Sequence, residues 1–279
     1  MQIKKISILG LGLIGGSIAK AVKAAGENIA ISAFDKKHRV LQKAKRENII
    51  DEILKSVEDS INSDLIILAM PVDKSLEAFE TLLPLLTRKN IITDVCGIKN
   101  IFEEKRNNIE SQGHYIGAHP MAGNEASGFE NSDPDLFEGT KYIISSFATN
   151  CSRIKDFQDF IELLGAKAVF LNPEIHDKIV ARLRHMPQLM SVALMNTIDG
   201  KDSTNCLEFA GPGFNDMTRL ASSPFTSWKS ILKYNREEII TAIEKLHFNL
   251  TKIEDYLQCE DFDSIEKMFR ESKSRKKES

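Results

Sequence analysis

Ile6-Ser-Ile-Leu-Gly10-Leu-Gly12-Leu-Ile-Gly15-Gly16 is a short apolar run that breaks into Gly-x-Gly-x-x-Gly and passes straight into Ser17-Ile-Ala-Lys-Ala-Val22. That order reads as a buried strand, a tight turn and a helix. In that setting Gly10 permits the turn, Gly12 lets backbone approach a pyrophosphate, and Gly15 lets helix and strand pack closely. The N–H groups of the first helical turn, at Leu13 and Ile14, then face the phosphates with the helix dipole behind them. The next apolar run, Ile29-Ala-Ile-Ser-Ala-Phe34, ends at Asp35, twenty residues beyond Gly15. An acidic side chain there hydrogen-bonds the adenosine ribose. Strand, helix and acid in register point to dinucleotide binding rather than to an unrelated glycine-rich turn. Asp35 favours NAD, because a carboxylate repels a 2′-phosphate. Lys36, Lys37 and Arg39 soften that repulsion and keep NADP open.

Working outward, strand-like and helix-like runs alternate through the first part of the chain, the pattern of a doubly wound parallel sheet. Leu65-Ile-Ile-Leu-Ala-Met70 is a buried strand stopped by Pro71, and Ile91-Ile-Thr-Asp94 is the next. Further strands are expected over residues 115–118, 141–144 and 168–171, with a helix over 152–164. Beyond Pro173 only helical spacing remains, over 174–198, 226–232 and 237–257. Pro187, in the middle of the first of these, removes the backbone bond to residue 183 and should kink it. The expected division is 1–172 for the nucleotide-binding unit and 173–279 for a helical unit. The latter is too apolar on several faces to stand alone, so a homodimer is expected. The polar end, residues 270–279, is expected to fray.

Bulk properties exclude several classes. A net charge of −3 gives no reason to expect nucleic acid or an anionic membrane as partner. The four cysteines are scattered and fit neither a zinc site nor a disulfide framework. No run is long and apolar enough to span a bilayer, and the N-terminus opens as a strand without a signal peptide, so a cytoplasmic enzyme is expected.

Three constellations carry candidate chemistry. The first is Gly117-Ala-His119-Pro120-Met121-Ala-Gly123-Asn124-Glu125-Ala-Ser-Gly128, which follows a strand at the sheet edge where ligands bind in open α/β folds. A histidine ordinarily titrates near neutrality, so His119 could move a proton; a backbone-bonded loop histidine is the alternative. The second is Gly211-Pro-Gly213-Phe-Asn-Asp216-Met-Thr-Arg219, where the planar fork of Arg219 suits a carboxylate, with an ion pair to Asp216 as the alternative. The third is Arg182-Leu-Arg-His185-Met-Pro187, with His185 beside the kink. His176 reads as a capping or domain-contact residue, Trp228 as core, and His38, His114 and His247 as surface.

Taken in order, GLGLIGGS, LAMPV, TDVCGIK, GAHPMAGNEASG, HDKIVARLRHMPQ and FNDMTRLASS span residues 8 to about 228 and closely resemble the prephenate dehydrogenase family, which includes arogenate and cyclohexadienyl dehydrogenases. The resemblance implies a Rossmann domain followed by a helical dimerisation domain. It also implies NAD(P)-dependent oxidative decarboxylation of a small molecule, prephenate or arogenate, in tyrosine biosynthesis, with no metal. By motif position, His119 matches the catalytic histidine and Glu125 an acidic residue shaping the pocket. His185 and Arg219 match substrate-binding residues, and Asn124 joins them as a neighbour of the site. Met70 and Pro71 of LAMPV join Gly10, Gly12, Leu13, Ile14, Gly15 and Asp35 on the cofactor side. One departure is Gly97, where many members carry serine; a water or Asn124 is the expected substitute for that hydroxyl. The chain also ends without the regulatory domain of some longer relatives, so feedback through one is not expected. A non-catalytic NAD-binding regulator is the rival from another class, opposed by the presence of His119 with Arg219.

Overall fold

The computed structural model describes residues 2–123, 127–198 and 206–278. The first part alternates as the apolar pattern requires: β1 (Lys5–Leu9), α1 (Leu13–Ala24), β2 (Ala30–Phe34), α2 (His38–Arg46), β3 (Glu52–Ile53), β4 (Leu65–Leu68), α3 (Val72–Leu82), β5 (Ile91–Asp94), α4 (Asn100–Asn107) and β6 (His114–Tyr115). The strands form one six-stranded sheet in the order β3-β2-β1-β4-β5-β6, every neighbouring pair parallel. Alternate residues serve opposite faces. Ile6, Ile8, Ile31 and Ile67 pack with Ile18, Val22 and Leu41, while Ile66, Leu68 and Ile92 pack with Leu76, Phe79 and Phe102. Burial on both faces explains why the strands read as unbroken apolar runs. Strand order reverses between β1 and β4, so the crevice beyond Leu9 and Leu68 is where this topology places a ligand.

After β6 the chain leaves this sheet. Ile116 N–H still bonds the Ile92 carbonyl at 3.0 Å, but the Gly117 carbonyl accepts from Ser145 N–H at 2.8 Å. The single strand expected over 115–118 is therefore two short pieces in two sheets. β7 (Ala118–Pro120) pairs antiparallel with β8 (Lys141–Ser145), which pairs parallel with β9 (Lys167–Leu171) after α5 (Ile154–Leu163). This second sheet shares the core beneath α1 through Phe137, Tyr142 and Ile144.

From Pro173 onward the described residues contain only helices: α6 (Pro173–Val180), α7 (Met186–Asn196), α8 (Pro212–Thr218), α9 (Phe225–Tyr234), α10 (Arg236–Gln258) and α11 (Phe262–Glu278), with short tight turns between. Asn172 caps α6, its Oδ1 accepting from Glu174 N–H at 2.9 Å and Ile175 N–H at 3.3 Å. Between α6 and α7 the helix widens into a π turn, Ala181–His185. That is where Pro187, with no N–H to offer, breaks the α-helical ladder. The end expected to fray instead continues α11 to Glu278. Strong helix formers and the Glu266–Arg270 pair four residues apart support it locally. Large apolar side chains on this half, among them Phe225, Phe248, Leu250, Leu257 and Phe269, remain exposed, and α10 buries only Ile239 and Ala242. No helix among the described residues is long and apolar enough to cross a membrane.

Candidate active site

The glycine turn sits at the switch point. Gly10 N–H bonds the Phe34 carbonyl at 2.8 Å, and a Cβ on Gly15 would lie 2.0 Å from the Gly10 carbonyl oxygen. Only glycine at 15 allows α1 to approach the turn. Gly12 differs, since a Cβ there would meet nothing within 4 Å. Its bareness leaves open space over the first turn of α1, whose N-terminus carries no side-chain cap. Asp35 lies at the end of β2, its Oδ2 accepting from Leu11 N–H at 2.9 Å and its Oδ1 from Lys37 N–H at 2.8 Å. The acid thus ties the glycine turn to its own strand and keeps lone pairs for a ribose. Met70 packs against Gly10, and Pro71 opens α3. An open glycine turn, an uncapped helix start and a strand-end carboxylate are what a dinucleotide needs.

Leu13 and Ile14 form one wall of a cleft of about 450 Å³ that runs from this turn to the helical half. Gly97 and His119 lie on its floor, and Arg184, His185, Gln188 and Trp228 form the opposite wall. Trp228, expected in the core, is a wall residue, edge-on to the His185 ring with centroids 5.9 Å apart.

His119, on β7, is buried and heads a chain of hydrogen bonds. Its Nδ1 is 2.9 Å from His176 Nε2, and His176 Nδ1 is 2.7 Å from Asp177 Oδ1. Asp177 is held in turn by the backbone N–H groups of Lys99 (2.8 Å) and Asn100 (2.9 Å) at the start of α4. An ionised carboxylate only accepts, so His176 carries its proton on Nδ1 and offers a lone pair at Nε2. His119 Nδ1 must then donate, which leaves the lone pair of His119 on Nε2, toward the cleft. Arg184 Nη1 donates to that lone pair from 3.2 Å. Burial, and then the neighbouring His176, Arg184, Lys99 and His185, hold His119 well below the usual histidine range, so it stands neutral, ready to accept a proton.

His176 is therefore no mere cap: it is fully buried and orients His119. Sequence reasoning missed this role, and the signal available was a His-Asp pair at a helix start, eight residues before Arg184-His185. Asn235, also unflagged, donates through Nδ2 to the Asp177 carbonyl at 3.0 Å and to His185 Nδ1 at 3.2 Å. Burial and Arg184 push the His185 pKa down to about 4, so this ring too is neutral. A Cβ on Gly97 would meet His119 Cε1 at 3.7 Å and Nε2 at 3.8 Å, so the glycine faces the working edge of the imidazole. Among the described residues the hydrogen bond to Nε2 comes from Arg184, a donor that the sequence reading did not anticipate. Behind Gly97, Lys99 and Asp94 form a buried ion pair that Tyr115 joins through its hydroxyl. Arg219 is exposed, in a tight turn whose following residues Leu220 and Ser223 line the cleft; Asn124 and Glu125 lie outside the described residues.

The chain matches known proteins over nearly its whole length. Residues 18–170 match the nucleotide-binding domain of prephenate dehydrogenase, and residues 172–271 match its dimerization domain. Prephenate dehydrogenase of Lactococcus lactis is 31% identical over 97% of this chain and 76% of its own length. Cyclohexadienyl dehydrogenase of Zymomonas mobilis is 27% identical over 96% and 94%. The crystal structure of prephenate dehydrogenase from A. aeolicus, in complex with hydroxyphenyl propionate and NAD+, superposes with a TM-score of 0.91 at 28% identity, covering 100% of this chain and 99% of that one. The chain belongs to the prephenate dehydrogenase family.

Proposed function

We propose that this protein catalyses the NAD-dependent oxidative decarboxylation of prephenate to 4-hydroxyphenylpyruvate, a step toward tyrosine. The observation that carries the reading is the lone pair of His119 Nε2, fixed by His176 and Asp177 at the floor of a cleft that begins at the glycine turn. The glycine turn, the start of α1 and Asp35 hold NAD, and the Asp35 carboxylate disfavours a 2′-phosphate. When bound, NAD supplies the acceptor for a hydride.

His119 takes the proton of the ring hydroxyl as the hydride leaves the carbon that bears it. The bond to the ring carboxylate then breaks, its electron pair enters the ring, and carbon dioxide departs from an aromatic product. A neutral, oriented base of this kind contributes about 10²–10⁴ in rate. Arg219 and the neutral His185 bind substrate, Arg219 through a carboxylate. The exposed apolar side chains of α9, α10 and α11, together with the family's dimerization domain, support a homodimer.

The test is a steady-state assay of NADH formation with prephenate and with arogenate separately, in wild type, His119→Asn and Arg219→Ala. Turnover of prephenate, with kcat lost in the first variant and KM raised in the second, is the expected result. Turnover of arogenate alone would keep the mechanism and change the substrate, and no turnover of either would overturn the reading.

A further inference from the structure

Arg184 projects from the π turn into the cleft, where its guanidinium has one partner among the described residues, His119 Nε2 at 3.2 Å. No carboxylate among the described residues pairs with it, and the side chain keeps contact with water in the open cleft. Two consequences follow from elementary chemistry. An imidazole nitrogen has one in-plane lone pair, and a hydroxyl that is to give up its proton must donate to that same lone pair. Arg184 therefore stands where the substrate hydroxyl has to go and must release Nε2 when substrate arrives. A ligand filling the cleft also strips water from the guanidinium, and a desolvated cation with no anion beside it is strongly disfavoured. The displaced guanidinium needs an anion in the same cleft at the same moment.

We propose that Arg184 is a specificity-determining residue that releases His119 to the substrate hydroxyl and pairs with the side-chain carboxylate of the same substrate molecule. The choice between the two carboxylates rests on the reaction itself, and so on the function proposed above. The side-chain carboxylate survives into product, so a close ion pair on it does not oppose the departure of carbon dioxide, and the ring carboxylate is left to Arg219, which is exposed and outside the cleft lining. The planar fork of arginine meets both oxygens of that group, which lysine cannot. The exchange makes exposure of the base conditional: a ligand with a ring hydroxyl but no carboxylate leaves Arg184 without a partner and Nε2 occupied. The outer wall near Arg184 is apolar, formed by Leu183, Pro187 and Trp228, and suits the ring that joins the two groups.

The experiment compares two probes on NAD-loaded protein by calorimetry: 3-(4-hydroxyphenyl)propanoate and its uncharged amide. Wild type, Arg184→Gln and Arg184→Lys are each titrated, with thermal melts as a check on folding. Wild type is expected to prefer the acid at least tenfold, the preference to fall within twofold in Arg184→Gln while amide affinity holds, and Arg184→Lys to recover part of it. A preference that survives in Arg184→Gln, or equal losses for acid and amide, would overturn the proposal. Kinetics separate it from the broader reading: wild type inactive on prephenate but with an Arg184-dependent acid preference sinks only the proposed reaction. Prephenate turnover with KM unchanged in Arg184→Gln sinks only the anchor.

Discussion

His119 Nδ1 lies 2.9 Å from His176 Nε2, a contact between β7 and α6 that leaves one tautomer for the base at the floor of the cleft. Replacing His176 by Asn shortens the side chain and breaks the link to Asp177, so the His119 proton is no longer held on Nδ1. The expected outcome is a fall of about 10²-fold in kcat with the KM for prephenate within threefold, and a displaced acid limb in the pH profile. Stopped-flow NADH formation across pH checks this. A lower melting temperature with kcat and pH profile unchanged would reduce His176 to a packing residue.

That contact also marks what the sequence could and could not tell. The glycine turn and Asp35 were legible because their chemistry is local: a turn, a helix start and the end of the next strand. His119 stood out from its Pro- and Gly-rich loop. His176 and Arg184 did not, because they reach His119 across 57 and 65 residues of chain, and only the packing of α6 and the π turn on α4 and β7 brings them there. Pro187 announced a break in the helix, but not that the break would take the form of a π turn bearing Arg184. The second sheet was hidden for a similar reason: a three-residue strand at His119 has no pattern of its own, and its partner is chosen by tertiary pairing.

A base kept neutral by its surroundings should be active over a wide acidic range. Arg184, Lys99, His185 and His176 face His119 from the elements around it, and Asp177 lies beyond His176, yet burial and the positive neighbours dominate. The acid limb of kcat/KM for prephenate is therefore expected below pH 6.5, with the rate level through neutrality. Arg184→Gln removes one of these cations and should move the limb upward. A limb at or above 6.5 in wild type would contradict the neutral-base assignment.

Stability should follow the same protons. His185 has a folded pKa of about 4 against an ordinary value of 6.5, with Arg184, His176, Asp177 and Trp228 around it. Between pH 6.5 and 4 the unfolded chain takes up a proton that the folded one refuses. Stability is thus complete above 6.5 and lost as pH falls, by up to about 1.4 kcal/mol per pH unit for each such group. Urea titrations at stepped pH should show this slope reduced in His185→Gln, which keeps an acceptor for Asn235. An unchanged slope would mean that His185 titrates alike in the folded and the unfolded chain.

Two glycines of the turn should separate binding from folding. A methyl on Gly12 meets no protein atom, so Gly12→Ala should melt like wild type, yet it fills the space over α1 and should raise the KM for NAD tenfold or more. A methyl on Gly15 would overlap the Gly10 carbonyl, and Gly15→Ala should lose roughly 3 kcal/mol or fail to fold. Thermal melts with NAD kinetics on both variants check the pair. An unaltered NAD KM in a well-folded Gly12→Ala would remove the pyrophosphate from this turn.

Gly97 tests the working edge of the base. A Cβ there makes ordinary contact with His119 Cε1 at 3.7 Å and points the substituent toward Nε2. Its backbone lies outside the left-handed region, so a side chain adds no strain of its own. Gly97→Ser should therefore fold normally, melt within a few degrees of wild type and keep turnover, because its small hydroxyl can rotate away from Nε2 when the substrate hydroxyl arrives. Gly97→Val carries two methyl groups into the same space with no polar atom to offer. It should fold equally well but lose about 10²-fold or more in kcat, since the substrate hydroxyl can no longer reach the lone pair within the 2.6–3.2 Å that proton transfer needs. The two substitutions differ only in what they place against the imidazole, so a difference in kcat at equal stability locates the reacting oxygen at Nε2. Full activity in Gly97→Val would place proton abstraction elsewhere in the cleft.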